Sequence, residues 1–301
     1  MSEQAEVQFG RGICGDFAAA ESREWLVTNG IGGYASGTVS GSQTRRYHGL
    51  LMAALQPPVG RTQLVSHLDE IVRYAGAEFS LATHRWAGGA IDPRGFLLIE
   101  DFHLEGTKPV WTYALADALL EKRVWMRQGE NTTYIQYTLV RGSAPIEMEL
   151  KAFVNYRDFH SLTHAGDWHM RIEPVDRGVR VVASDVATPF YVLSDAASCE
   201  PRHDWYRDCY LAEETARGLD DREDHLFAAL FRARLELGST LTLVATTEAK
   251  VSLDGETLRA ERANYEVKLF HQWQAKNEAQ AADAPSWLWQ LVLAADQSVG
   301  H

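Results

Sequence analysis

The sequence predicts a mainly β protein, an antiparallel sandwich or barrel, with a helical segment at its C-terminal end. Three observations carry this. Between Pro109 and Thr247, short runs rich in β-branched and aromatic residues recur with turn residues between them, at the roughly 8–12-residue spacing of sandwiches and barrels. No strand–helix alternation appears, which disfavours a parallel sheet. From Ser252 the apolar period lengthens to three and four residues, which is helical.

Taken in order, Val7 to Phe9 would add an edge strand and Glu24 to Thr28 a short strand. Asn29-Gly30 is the dipeptide preferred where both turn residues need positive φ. From Thr44 the chain reads as extended, with Arg46, His48, Leu50 and Met52 on one face and Arg45, Tyr47, Gly49 and Leu51 on the other. Gln56-Pro57-Pro58-Val59-Gly60 is a turn, since two prolines cannot donate to a central strand. Gln63 to Tyr74 resumes a strand, with Leu64, Ser66, Leu68, Glu70 and Val72 on one face. Glu78 to Trp86 is a further strand, followed by loop signals at Gly88-Gly89 and Asp92 to Gly95.

The strand pattern then strengthens: Pro109–Leu115, Ala118–Arg127, Thr132–Val140, Ile146–Asn155, Trp168–Pro174, Gly178–Ser184 and Phe190–Ser194. Trp205 to Leu226 breaks it, and its many charges suggest a loop with one helical turn. Ala228–Leu237 and Thr240–Thr247 read as a β pair around Gly238-Ser239, with Leu241, Leu243 and Ala245 inward. Leu258, Arg262, Tyr265, Leu269 and Trp273 lie on one helical stripe. Lys276 to Ala284 is helix continuation or linker, and Pro285-Ser286-Trp287 opens a second helix through Ala295.

Chemistry concentrates between Glu24 and Ala53, EWLVTNGIGGYASGTVSGSQTRRYHGLLMA. Gly30 to Ala35 satisfies the letters G-x-G-x-x-A of a dinucleotide site, which also needs a following helix and an acid about 20 positions on. Ser36 to Gly41 is a poor helix former, and Leu50 to Leu55 is apolar, so a Rossmann site is rejected. Arg45, Arg46, Tyr47 and His48 instead supply planar donors and an aromatic face, a pattern suited to sugar hydroxyls and ring C–H groups. The structural reading is that an arginine pairs with a core carboxylate such as Glu70 and that Tyr47 packs.

Two long motifs carry a resemblance: EWLVTNGIGGYASGT followed by TRRYHGLL, and WYRDCYLAEETARGLDDREDHL from Trp205 to Leu226. Together with Trp287 to Gln297, they resemble the N-terminal domain of bacterial and archaeal glycogen debranching enzymes of the amylo-α-1,6-glucosidase type. The resemblance implies a large antiparallel β-sandwich, a supersandwich like that of galactose mutarotase. It also implies an (α/α)6 barrel that follows and carries the catalytic acids. On that basis residues 1–275 are expected to form the sandwich, and 276–301 a linker and the first helix of a truncated barrel. The expected partners are an α-glucan (glycogen or maltodextrin) and the absent barrel.

The net charge of −12 argues against a nucleic-acid partner held through phosphates. The chain opens without a signal-peptide pattern and has no run long enough to span a membrane, so a cytoplasmic protein without membrane contact is expected. Cys14, Cys199 and Cys209 are odd in number and lack CxxC spacing, which fits reduced thiols. His160 and His164 are four apart without an H-E-x-x-H pattern, so no metal site is assigned, and no cofactor. No G-x-S-x-G elbow is present.

Glu213, Glu214, Asp220, Asp221, Glu223 and Asp224 could suggest a glycosidase pair. They read instead as solvated charge bridged to Arg217 and Arg222. No catalytic residue is therefore assigned, and substrate-binding candidates are Asn29, Gly30, Gly32, Arg45, Arg46, Tyr47, His48 and Trp205, the glycines as turn-formers first. The expected function is a substrate-binding or structural domain of a debranching enzyme acting on α-1,6 branch points, inactive by itself. The alternatives are a free-standing carbohydrate-binding or scaffold module, and a mutarotase-like aldose epimerase using His48 and Glu70 as acid and base. Trp287 and Trp289 are expected to be exposed for want of barrel helices.

Overall fold

A computed structural model describes residues 7–277 and 287–298. Two antiparallel sheets face each other across one apolar core. The first has nine strands in the order Gln8–Gly10, Ile99–Glu105, Lys108–Leu115, Ala118–Met126, Thr132–Arg141, Thr240–Thr246, Phe190–Ser194, Gly178–Val182 and Arg171–Val175. The second runs Ser198–Tyr210, Arg222–Leu235, Ile146–Asp158, Val59–Tyr74, Gly49–Gln56, Tyr34–Thr38 and Glu24–Thr28, with Ala77–Ser80 pairing Val59–Tyr74. The choice between sandwich and barrel falls to the sandwich. A small two-stranded arm, Thr83–Arg85 with Ile91–Arg94, stands apart from both sheets.

Alternation decides which side chains enter the core. Leu64, Ser66, Leu68, Glu70 and Val72 are buried on one side of their strand, as their spacing predicts. Leu120, Val124, Ile135, Tyr137, Leu241, Leu243 and Ala245 meet them from the other sheet. Val7 to Phe9 is an edge as expected, with Gln8–Gly10 pairing Ile99–Glu105. Pro57 and Pro58 form the turn between Gly49–Gln56 and Val59–Tyr74.

Several expectations are corrected. Thr44 to His48 is not extended: His48 N–H donates to Arg45 O at 3.1 Å, a turn, and the strand begins at Gly49. Asn29 does not take positive φ, whereas Gly30 and Gly32 do, at 76° and 96°. Asn29 Oδ1 instead accepts from Ile31 N and Gly33 N at 3.1 and 2.9 Å, so a side chain closes the turn that a backbone pair was expected to make. The expected strand Glu78–Trp86 splits into Ala77–Ser80 and Thr83–Arg85.

Trp205 to Tyr210 is strand rather than loop, and only Ala212–Ala216 is helical. Its charges misled because this is an edge strand, bulged between Tyr206 and Cys209, where Asp208 takes φ 58°. Charges and bulges are common devices at exposed edges. Arg222–Leu235 and Thr240–Thr246 do not pair with each other. The first pairs with Ile146–Asp158 and Ser198–Tyr210, the second with Thr132–Arg141 and Phe190–Ser194. Gly238, at φ 77°, turns the chain from one sheet to the other. Alternation fixes a strand's inward face but not its partner.

The helical stripe is a helix from Gly255 to Lys276, capped by Asp254, whose carboxylate accepts from Thr257 N at 3.1 Å. Its seat on the sandwich is apolar at Leu258 and ionic beyond. Glu266 lies buried against Lys108 Nζ at 3.3 Å, Arg262 Nε at 3.0 Å, and the Thr107 hydroxyl. A second helix, Leu288–Ser298, packs back on the first through Trp289 against Phe270, at 4.9 Å between ring centroids, and Tyr265 Oη donates to Asp296 Oδ1 at 3.0 Å. Gln290 and Gln297 bond Gly106 O and Leu26 O. Trp287 is exposed as expected, while Trp289 is half-buried. Residues 278–286 of the expected linker lie outside the described residues.

Removing one member of a buried ion cluster strands the others. Glu266→Ala is expected to lower unfolding free energy by about 3–5 kcal/mol in urea titrations. Glu261→Ala, on the exposed side of the same helix, should change it by less than about 0.5 kcal/mol.

Candidate functional site

The glycine-rich hairpin and the Thr44–His48 turn sit together at one end of the second sheet. Asn29 is fully buried, and its amide donates to Glu130 O and Asn131 Oδ1 at 3.0 and 3.1 Å. With Oδ1 already accepting twice, the side chain is fully engaged within the protein. A Cβ on Gly30 would fall 2.0 Å from Gln128 Nε2, and one on Gly32 2.4 Å from Pro58 O. Both glycines therefore admit neighbouring protein segments to the loop.

Each member of the Arg45–His48 cluster has a partner. Arg45 Nε bonds Glu24 Oε1 at 2.5 Å, and its side chain remains 27% exposed. Arg46 is only 12% exposed: its guanidinium bonds His160 O at 2.6 Å and pairs with Glu214 at 3.1 Å, while its backbone N–H donates to Glu214 Oε1. His48 is buried, and its Nδ1 accepts from Thr44 N–H at 3.2 Å. That fixes the proton on Nε2, which stands 3.4 Å from Glu24 Oε1. Hydrogen bonding from His48, helped by Arg45, holds the Glu24 carboxyl down to about 2 against the cost of burial.

The acidic segment behaves differently from the expectation of solvated charge. Glu214, Glu223 and Asp224 are buried. Arg157 makes a two-pronged bond to Glu223 and also donates to Arg46 O at 2.7 Å. Asp224 accepts from Ala165 N at 2.8 Å and Asp208 N at 2.9 Å. Arg222 does pair Asp221. Burial rather than solvation follows because Glu214 and Glu223 are the counter-ions of Arg46 and Arg157, while Asp224 is held by backbone N–H groups. Glu70 pairs with Lys122 and Tyr137 Oη, not with an arginine. His48 and Glu70 do line one cavity, but each is held in these bonds.

Tyr47 does more than pack. Its ring lies 5.7 Å from both Phe159 and His160, and its hydroxyl meets His160 Nδ1 at 3.1 Å. Arg61 extends the group, with its guanidinium 5.5 Å over Phe159 and 6.0 Å over Tyr34. Arg61 Nε donates to Gly32 O at 2.8 Å, joining the rings to the hairpin. Tyr34, Tyr47, Arg61 and Phe159 are half-buried and His160 is exposed, so the rings form a platform at the surface. Trp205 lies elsewhere, half-buried, with Nε1 bonded to Trp168 O at 3.3 Å.

Sequence reading missed Arg61, Arg157 and Phe159, and weighed His160 only as a metal ligand. The run NYRDFH, residues 155–160, carries the same aromatic, arginine and histidine types as RRYH and was the available signal. It also missed His67, Asp69 and His84, whose polar atoms all lie within 4.8 Å of one another. The three cysteines are free thiols.

An antiparallel sandwich carrying a half-exposed aromatic and guanidinium platform is the class of domain defined by this geometry. The family model described as glycogen debranching enzyme N terminal matches residues 23–242, and the chain belongs to that family. No curated protein sequence matches the chain. Among solved structures, the chain is similar to a bacterial glucoamylase complexed with acarbose, at 11% identity and a TM-score of 0.42. The match covers 99% of this chain and 41% of that one.

The low pKa of Glu24 makes a signed prediction. Its stabilisation is complete above the ordinary value of 4.5 and is lost as pH falls through about 2. Because its side chain is 41% exposed, solvent screening reduces the effect to about 1 kcal/mol. Glu24→Gln is expected to be that much less stable than wild type near neutral pH, and the gap should close towards about pH 2 in denaturant titrations.

Proposed function

We propose that this domain holds α-glucan for a debranching enzyme, with the Tyr47 platform stacking on sugar rings. Residues 1–275 serve as the sandwich domain, and 276–301 lead into an (α/α)6 barrel beyond this chain. The barrel supplies the two carboxyl groups that hydrolyse α-1,6-linked glucose at branch points of glycogen-like chains, in the cytoplasm. The single observation that carries the reading is the platform, joined through Arg61 to the glycine-rich hairpin, in a member of this family. Aromatic faces receive sugar C–H groups, and Arg45, the more exposed of the two arginines, is placed to meet hydroxyls.

The helix pair adds support. Val267, Trp287 and Leu291 are exposed on it at 45%, 53% and 55%, an apolar surface of the kind that receives another domain. No helix among the described residues is long and apolar enough to cross a membrane. Within this chain, Glu214 and Glu223 are sequestered by Arg46 and Arg157, so neither is free to act as the acid of a glycosidase.

Titration with branched maltodextrin tests the reading. Tyr47→Ala and Phe159→Ala are each expected to weaken binding about 10-fold, roughly 1.4 kcal/mol, while Val186→Ala, on an exposed side chain, leaves it unchanged. Equal binding by all three would remove the platform from the account. The chain alone should release no glucose from branched dextrin; release would overturn the assignment of hydrolysis to the barrel.

A further inference from the structure

His67 and Asp69 lie two apart on the Val59–Tyr74 strand, on the side opposite its core-facing residues. The two-stranded arm brings His84 to them. His84 Nε2 meets Asp69 Oδ1 at 2.9 Å, and His67 Nε2 stands 3.7 Å from the same oxygen. The sequence separation between the strand and the arm hides the trio from motif reading, since no H-x-x-H spacing connects them.

Hydrogen bonding shapes how His67 presents itself. Ser66 Oγ lies 3.1 Å from both Phe153 O and His67 Nδ1, and when its one proton goes to Phe153 O the hydroxyl accepts from His67. In that tautomer the imidazole proton sits on Nδ1, and the Nε2 lone pair faces the Asp69 carboxylate. Stacking on Phe153, at 4.4 Å and 11°, fixes the ring plane. In that form the lone pair and the carboxylate, 3.7 Å apart, can share a cation between them. Lys151, opposite Asp69 on the neighbouring strand, is turned to Tyr206, with Nζ 3.4 Å from its hydroxyl.

We propose that His67 Nε2, His84 Nε2 and Asp69 Oδ1 bind a divalent transition-metal ion of the zinc type. Ligand bonds of about 2.0–2.2 Å place tetrahedral donors about 3.4 Å apart, and the distances of 2.9 and 3.7 Å bracket that spacing. Two imidazoles and one carboxylate are a borderline donor set that favours zinc over magnesium or calcium. His67 receives the outer-sphere support usual for a ligating histidine, a hydrogen bond at its other nitrogen. All three residues line a cavity of about 70 Å³, room for the one water that completes a tetrahedral set. Bound there, the ion clamps the arm carrying His84 to the main sheet.

The test uses the whole chain. After chelator treatment, it is titrated with Zn²⁺ by calorimetry and with Co²⁺ by visible spectroscopy, beside His84→Ala, Asp69→Asn and a control, His271→Ala, on the exposed side of the long helix. One equivalent is expected to bind wild type and the control, with the absorption of tetrahedral Co²⁺ and a raised melting temperature. His84→Ala and Asp69→Asn should each weaken binding at least 10-fold and lose that spectrum while remaining folded by circular dichroism. His84 is part-exposed and the Asp69 change is isosteric, so both variants should fold; should one fail, the other decides. No stoichiometric binding to wild type, or binding equal in all four proteins, overturns the site.

Discussion

Arg157 holds the end of the second sheet together. Its guanidinium bridges Glu223 on one strand and the carbonyl of Arg46 in the turn that precedes another. The next pair out, Arg46 with Glu214, ties that same turn to the helical turn Ala212–Ala216. A buried ion pair recovers its desolvation cost only when further hydrogen bonds satisfy the remaining donors and acceptors. The Arg157 pair meets that condition more fully: Glu223 also accepts from Thr163 N and Asn155 Nδ2, both at 3.3 Å, whereas Glu214 accepts from Arg46 N at 3.0 Å but Arg46 Nε is left without a hydrogen-bond partner. The Thr44–His48 turn is thus fixed from beneath, and Tyr47 emerges from it in one place.

This explains what the sequence disclosed and what it withheld. Local rules were legible: the diproline turn, the inward residues of Val59–Tyr74, the helix after Asp254. Long-range partners were not. Arg46 and Glu214 are 168 positions apart, and Arg157 and Glu223 are 66 apart, so nothing local marks either acid as buried. A run of six acids among loop-like residues reads as solvated charge until the arginines that neutralise it are known. The same blindness paired Ala228–Leu237 with Thr240–Thr247: both runs alternate, and alternation carries no address for the opposing sheet. The candidate cluster was found by residue type; that its guanidiniums are largely committed to protein partners could be seen only in three dimensions.

A sandwich this large also admits charge to its interior, under the same condition. Glu70 faces the core yet is matched by Lys122 and by Tyr137 Oη, and the Lys122 ammonium lies 5.8 Å from the Trp111 ring. Breaking such a set costs more than never having built it. It lies among Leu68, Val72 and Leu120, linking a strand of each sheet across the core.

The hairpin between Thr28 and Tyr34 is gripped from two directions. Arg61 reaches it from the platform through Gly32 O, and Arg262 reaches it from the long helix through Thr28 O at 3.2 Å. Arg262 also bonds Gln128 Oε1 at 3.2 Å, and Gln128 lies against Gly30. Neither glycine can gain a side chain without meeting Gln128 or Pro58, and Asn29 has no bonding capacity left. A loop so held is tied at once to the platform, through Arg61, and to the long helix, through Arg262.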